Sequence, residues 1–260
     1  RKWCGKGFGR ALCAVWCSGK RLEEDEMIQF ETVNELTLKV TCSGNDVLFT
    51  KAGAFIAGES AGGKNYTFEK VLLGPQGNIG QALMGSLMRR VTGENLPLMK
   101  VNMHGESVTY YANQGQHVVI YKLSMGEIIS VESENILAFT QDCKYSVRFI
   151  GCGVLSQKGL ATSVLTGNGN NAYVAILSDG NPIVLSNVKN RNTISVDPDA
   201  VICWVGQGHC DPQVKVDVSW KTFIGQTSGE SYAFEWSGGQ PVSVVVQPSE
   251  REGGISVRMD

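Results

Sequence analysis

From Ile28 onward, apolar and polar side chains alternate along much of the chain. Ile28 and Phe30, then Leu36, Leu38 and Val40, are apolar at every second position, which lines one face of an extended strand. Residues 43–46 read as a turn closing this pair, and 47–50 open a strand that leads into 51–57. From Leu98 strands follow almost without pause, at 108–112, 118–123, 136–139 and 145–149 and then at 172–177, 183–185, 201–204 and 214–218. Gly-Gln, Asp-Gly and Gly-Asn pairs stand between them where hairpin turns are expected. A final pair, 232–236 with 242–247, is expected around the turn at 237–240. One stretch breaks the pattern. Ile79, Leu83, Leu87 and Val91 recur every fourth residue, which predicts a short helix over 78–92 covering one face of a sheet. Gly80 and Gly85 weaken it by about 1 kcal/mol each, and contact with a membrane surface is the alternative use of this segment.

The strands carry an internal echo. Ile129-Ser130-Val131-Glu132-Ser133-Glu134-Asn135-Ile136 returns 65 positions later as Ile194-Ser195-Val196-Asp197-Pro198-Asp199-Ala200-Val201. At the same offset Gly115 falls on Gly180, and Val118-Val119-Ile120 fall on Ile183-Val184-Leu185. The stretch from Lys51 through Gly53 to Ala57 resembles the repeated phrase and reads as a degenerate first copy. A fixed-period duplication predicts one supersecondary unit used repeatedly. The positions that carry it are turn formers: Gly53 in the first copy, Glu134 and Asn135 in the second, and Asp197, Pro198 and Asp199 in the third.

Composition agrees with a β protein, with 31 glycines against 7 prolines in 260 residues. Formal charge is −2, so no global field recruits nucleic acid or an anionic membrane. No run reaches the ~20 apolar residues of a membrane-spanning helix. The eight cysteines form no C-x-x-C pair, and are expected to be reduced, structural thiols.

Residues 1–26 differ from the rest, with Lys2, Lys6, Arg10, Lys20 and Arg21 ahead of the acidic cluster at 23–26. A secretory signal and a mitochondrial presequence are both arguable. The favoured expectation is an extension outside the fold, its native status open, with Met27 as the natural start.

Residues Thr50-Lys51-Ala52-Gly53-Ala54-Phe55, Thr92-Gly93-Glu94-Asn95, Gly159-Leu160, Val196-Asp197-Pro198-Asp199-Ala200-Val201 and Gln247-Pro248-Ser249-Glu250-Arg251, in that order and spacing, carry a likeness. From Met27 to about Arg251 the chain resembles the altered inheritance of mitochondria protein 24 family, known in bacteria as a domain of unknown function. That resemblance implies a duplicated antiparallel β architecture, likened to the tryptophan RNA-binding attenuation protein fold and to double-stranded β-helices, and no established enzyme activity. The family phrase often carries Gly after or in place of its Pro. Here Asp199 and Glu134-Asn135 stand instead, and an acidic or amide residue is expected to tolerate the positive φ such a turn would need.

Chemistry is sparse. His104, His117 and His209 are the only histidines; His209-Cys210-Asp211 has no ordinary zinc spacing, and no H-x-H pair occurs. No G-x-S-x-G elbow is present, and Gly151-Cys152-Gly153 matches no phosphate loop. Asn65-Tyr66-Thr67 fits a glycosylation acceptor pattern that would need a secretory route. Lys215, Trp220 and Lys221 form the nearest thing to a nucleic-acid stacking cluster, and charge balance argues against it.

The expectation is therefore an all-β protein of duplicated antiparallel units, a sandwich with one short helix. Residues 1–26 form the extension, 27–97 a first unit with the helix, 98–158 a second, 159–251 a third with closing strands, and 252–260 a tail. The expected role is a non-catalytic, self-associating scaffold or binding module with an unknown protein partner, no cofactor and no metal. A small-molecule-binding or enzymatic β-barrel is the rival, and a membrane-associated or RNA-binding protein a further one. The expected location is the cytoplasm of a bacterial-type cell, or the mitochondrion if residues 1–26 are a presequence.

Overall fold

The computed structural model describes residues 27–72, 97–149, 161–189, 192–216, 232–237 and 239–248. The extension at 1–26, the helix expected at 78–92 and the tail at 252–260 lie outside these residues. Among the described residues there is no α-helix, only strands and two one-turn 3-10 helices. The protein is all-β, and among the described residues every strand pairing is antiparallel.

In chain order the strands are β1 (Ile28–Asn34), β2 (Thr37–Cys42), β3 (Asn45–Lys51), β4 (Phe55–Ser60), β5 (Tyr66–Leu72), β6 (Pro97–His104) and β7 (Ser107–Tyr111). Then come β8 (His117–Lys122), β9 (Glu127–Val131), β10 (Ile136–Thr140), β11 (Cys143–Phe149), β12 (Ala161–Gly167) and β13 (Tyr173–Ser178). The last are β14 (Ile183–Ser186), β15 (Ile194–Val196), β16 (Val201–Gln207), β17 (Gln213–Val216), β18 (Tyr232–Trp236) and β19 (Val242–Val246). They form four sheets: β1-β2-β7-β4, β5-β6-β3-β10-β13-β8, β11-β12-β9-β16-β19-β14 and β15-β18-β17. Adding six to every strand number of the second sheet produces the third.

Three apolar clusters fill the spaces between the sheets. The first joins β1, β2 and β7 to strands of the second sheet, including Leu48, Met103 and Leu137. The second lies between the second and third sheets, around Ile129, Phe139, Leu165 and Ile176. The third packs Trp204, Val242 and Val244 against Ile194, Phe234 and Trp236 of the fourth sheet. Strand β13 shows what this demands of sequence. Tyr173, Ala175 and Leu177 face the first cluster and Val174 and Ile176 the second, so all six of its residues are buried and none alternates with a solvent-facing one. At the outer sheets alternation returns: β2 buries Leu38, Val40 and Cys42, while Lys39 turns out to pair with Glu31 at 3.0 Å.

Several turn expectations are corrected. β1 and β2 form a hairpin as expected, but β18 and β19 lie in different sheets, so residues 237–240 connect sheets and close no hairpin. The Gly115-Gln116 and Asp179-Gly180 turns likewise carry the chain from one sheet to another. Residues 43–46 also do not close a pair, because β3 begins at Asn45 and leaves the sheet of β2. A turn residue reverses the chain locally; which sheet receives the next strand is decided by the apolar faces it must cover.

The echo is also refined. Both 3-10 turns sit 65 positions apart, at Ser133–Asn135 and Pro198–Ala200. In the preceding strands the match slips by one. Ile136 faces Ile176, which faces Val119, while Val201 faces Val246, which faces Ile183. Val119 therefore corresponds to Ile183, one residue off the sequence alignment, the slip being absorbed in the connecting loops.

Candidate functional site

The turn residues singled out by sequence are occupied in holding the sheets together. Each of the three turns closes with the same backbone bond: Ala54 N–H donates to the Lys51 carbonyl at 3.1 Å, Asn135 to Glu132 at 2.9 Å and Ala200 to Asp197 at 3.0 Å. Gly53 has φ +83°, which only glycine adopts freely. Glu134, Asn135 and Asp199 do not share it, because Gln114 is the only non-glycine of positive φ among the described residues. The tolerance of positive φ expected of these residues is not called upon, because the second and third turns are right-handed 3-10 turns. In the third, Asp197 caps the turn by accepting the Asp199 N–H at 2.7 Å, and Pro198 supplies the preset φ of the first helical position.

Side chains then staple the turns to neighbouring strands. Buried Asn135 donates from Nδ2 to the Leu177 carbonyl at 2.7 Å, and Lys51 Nζ donates to the Glu134 carbonyl at 2.7 Å. Gln247 donates from its backbone to Ala200 at 2.9 Å and from Nε2 to Asp199 at 3.3 Å.

A second polar region lies at the loop before β17. Within His209-Cys210-Asp211, His209 is exposed, Cys210 is buried, and the Asp211 carboxylate is held by both terminal nitrogens of Arg148 on β11. Trp236 donates from Nε1 to the Cys210 carbonyl at 2.9 Å. His209, Cys210, Asp211 and Trp236, with Glu235 and Gln240, line a cleft of about 180 Å³. Small-molecule sites run to about 300–1,000 Å³, so this cleft is undersized. Among the described residues no group of three His, Cys, Asp or Glu side chains is placed to hold a metal.

The described cysteines, Cys42, Cys143, Cys203 and Cys210, are free and buried. Burial pushes the Cys143 thiol up to about 12 despite the Thr140 hydrogen bond, and raises Cys203 further. A thiol that stays protonated at neutral pH is a poor nucleophile. Burial likewise raises the carboxyl of Asp46, against the lowering effect of the Val47 N–H that donates to it at 2.7 Å. Lys215 lies 3.8 Å from Glu235, while Trp220, Lys221 and Gly151-Cys152-Gly153 are outside the described residues.

Sequence reasoning missed three features. The Arg148–Asp211 bridge spans 63 positions with no local signal. The Gln247 clip looked like the end of a strand. Lys64 sits 5.2 Å and 5.4 Å above the rings of Tyr66 and Phe68, which also meet Phe55; the Tyr-x-Phe alternation on β5 was the available hint.

The family model described as Mitochondrial biogenesis AIM24 matches residues 30–249, which spans every described strand except the first residues of β1. The chain belongs to the AIM24 family. No curated protein gives a significant match. Among solved structures, the AIM24 chain is similar to protein SPYM3_0169 from Streptococcus pyogenes, with TM-score 0.59 and 14% identity over 86% of this chain and 93% of that one. Likeness at that identity speaks for the fold. No helix of the described residues is long and apolar enough to cross a membrane.

Proposed function

We propose that this AIM24-family protein is a non-catalytic scaffold that associates with itself and presents its loops to a protein partner. The observation that carries this reading is where the polar groups go. Asn135 and Gln247 bond to the backbone of neighbouring segments, Asp197 caps its own turn and Asp211 is clamped by Arg148, so these four polar side chains are spent on holding structure. Catalysis needs the reverse, titratable groups converging on a cavity with perturbed ionisation. The interior between sheets is filled with apolar side chains, and the buried thiols are held protonated. Light scattering of the purified chain across about 1–50 μM tests the association, at concentrations where moderately tight complexes form. The expected mass exceeds the 28.1 kDa of one chain and rises or plateaus at a multiple of it. A single-chain mass throughout the range would remove the reading.

A further inference from the structure

Two strand pairings, one at the middle of the second sheet and one at the middle of the third, recur in the chain with one register. β3 joins β10 with Thr50 opposite Ala138 and Phe49 opposite Phe139. β9 joins β16 with Val131 opposite Cys203 and Ser130 opposite Trp204. The receiving strands share a further mark, a bulge against the next strand of their sheet that skips one residue: Leu137 in β10 and Ile202 in β16. β4 carries the same bulge, skipping Ile56, and so is the third strand of this kind. β15 is the third strand of the giving kind, since Ile194, Ser195 and Val196 lie 65 positions after Ile129, Ser130 and Val131. Yet among the described residues β4 and β15 are both sheet edges, each without the partner strand that its two counterparts have.

Burial marks the same vacancy. Leu137 and Ile202 are 0% exposed, whereas Ile56 at the same bulge is 55% exposed. β10 is buried at every residue and β16 at all but its last, while β4 is open along most of its length. Backbone donors point the same way. Glu132 N–H donates across to Ile202, and donors alternate sides along a strand, so the Ser130 N–H also faces β16. The 65-residue correspondence carries that direction over to Ser195, whose N–H would then face the open side of β15. The Lys39–Glu31 pair lies on β1 and β2, at the opposite edge of the sheet from β4, and does not obstruct a joint there.

We propose, building on the self-association reading above, that copies of this chain join head to tail, β15 of one copy pairing antiparallel with β4 of the next. The register is that of the two internal pairings: Val196 opposite Ala57, Ser195 opposite Gly58 and Ile194 opposite Glu59. The fourth sheet of one copy and the first sheet of the next then form one continuous sheet, and Ile56 is covered as Leu137 and Ile202 are. The joint is heterologous, so copies close into a ring or extend as a filament.

Two variants each disable one side. Ser195→Pro removes the outward donor of β15 and leaves the side facing β18 intact, as an edge strand allows. Ile56→Lys places a charge on the open edge of β4, where charge discourages strand addition. Light scattering should read the wild type as an assembly and each variant as one chain of 28.1 kDa, with circular dichroism and melting curves of folded protein. An equimolar mixture of the two variants should yield a complex of about 56 kDa, because each retains the edge the other lost. Should Ser195→Pro fail to fold, Ser195→Lys replaces it. An assembled wild type whose variants keep its mass would overturn the joint while leaving self-association standing. Monomeric variants that do not combine on mixing would overturn the head-to-tail arrangement. A wild type of single-chain mass, whether its two edges close on each other or stay open, would overturn both readings.

Discussion

Leu137, Ile202 and Ile56 occupy the skipped residue of three corresponding bulges, so replacing each by alanine compares burial at a fixed backbone geometry. Leu137 contributes to the first apolar cluster and Ile202 to the second, both with no exposed surface. Removing such a side chain forfeits about 1.5–3 kcal/mol of transfer free energy. The cavity left behind brings the usual total to about 2–5 kcal/mol. Ile56 keeps 55% of its surface in water, so its loss within one chain should cost under about 1 kcal/mol. For a protein of this size each kcal/mol lowers Tm by about 2–4 °C. Leu137→Ala and Ile202→Ala should therefore each lose about 4–20 °C, and Ile56→Ala a few degrees at most. Urea unfolding followed by tryptophan fluorescence, at a dilution where light scattering reads one chain, measures this as a shift in midpoint with unchanged slope. A midpoint shift for Ile56→Ala equal to that of Leu137→Ala would refute the assignment of Ile56 to an uncovered edge. A silent Leu137→Ala would refute the packing between the first and second sheets.

Two further outcomes follow from buried ionisable groups. Burial raises the Asp46 carboxyl above its ordinary 3.8, so its stabilising contribution is full below the unfolded value and is lost as pH rises through the folded one. Asp46→Asn keeps an oxygen for the Val47 N–H, and should raise Tm at pH 7 by about 1–3 °C, with the gain shrinking toward pH 4; calorimetry across that range checks it. Cys143 and Cys203, protonated and buried, should escape N-ethylmaleimide in native protein at pH 7.5 and react in urea, and peptide mapping that finds Cys143 labelled within minutes under native conditions would contradict this.

The strand content was legible wherever one face meets water. Leu38, Val40 and Cys42 alternate with Thr37, Lys39 and Thr41 because β2 belongs to an outer sheet. The turns were legible too, since Asp197-Pro198-Asp199 contains its own cap and its own preset φ. Strand partners were much less so. β13 presents Tyr-Val-Ala-Ile-Leu-Ser with both faces buried, and an unbroken apolar run does not say which neighbour lies on which side. The sequence echo placed Val119 on Val184, whereas sheet register places it on Ile183. A shift of one residue exchanges the two faces of a strand, which no local composition signal records here.

Local chemistry alone determined that this chain would be all-β, would turn at Gly53, at Glu134-Asn135 and at Asp197–Asp199, and would carry the features of its family. Those properties depend on the φ preferences, side-chain period and capping of residues close together in sequence. The tertiary structure decided what those pieces are used for. It sent consecutive strands to different sheets, spent the polar turn residues as staples, brought Arg148 to Asp211 across 63 positions, and left Ile56 exposed where Leu137 and Ile202 are buried. Each of these depends on which distant surface covers a residue. The same apolar side chain at the same bulge is core in two places and an open edge in the third, and only the assembled sheets distinguish them.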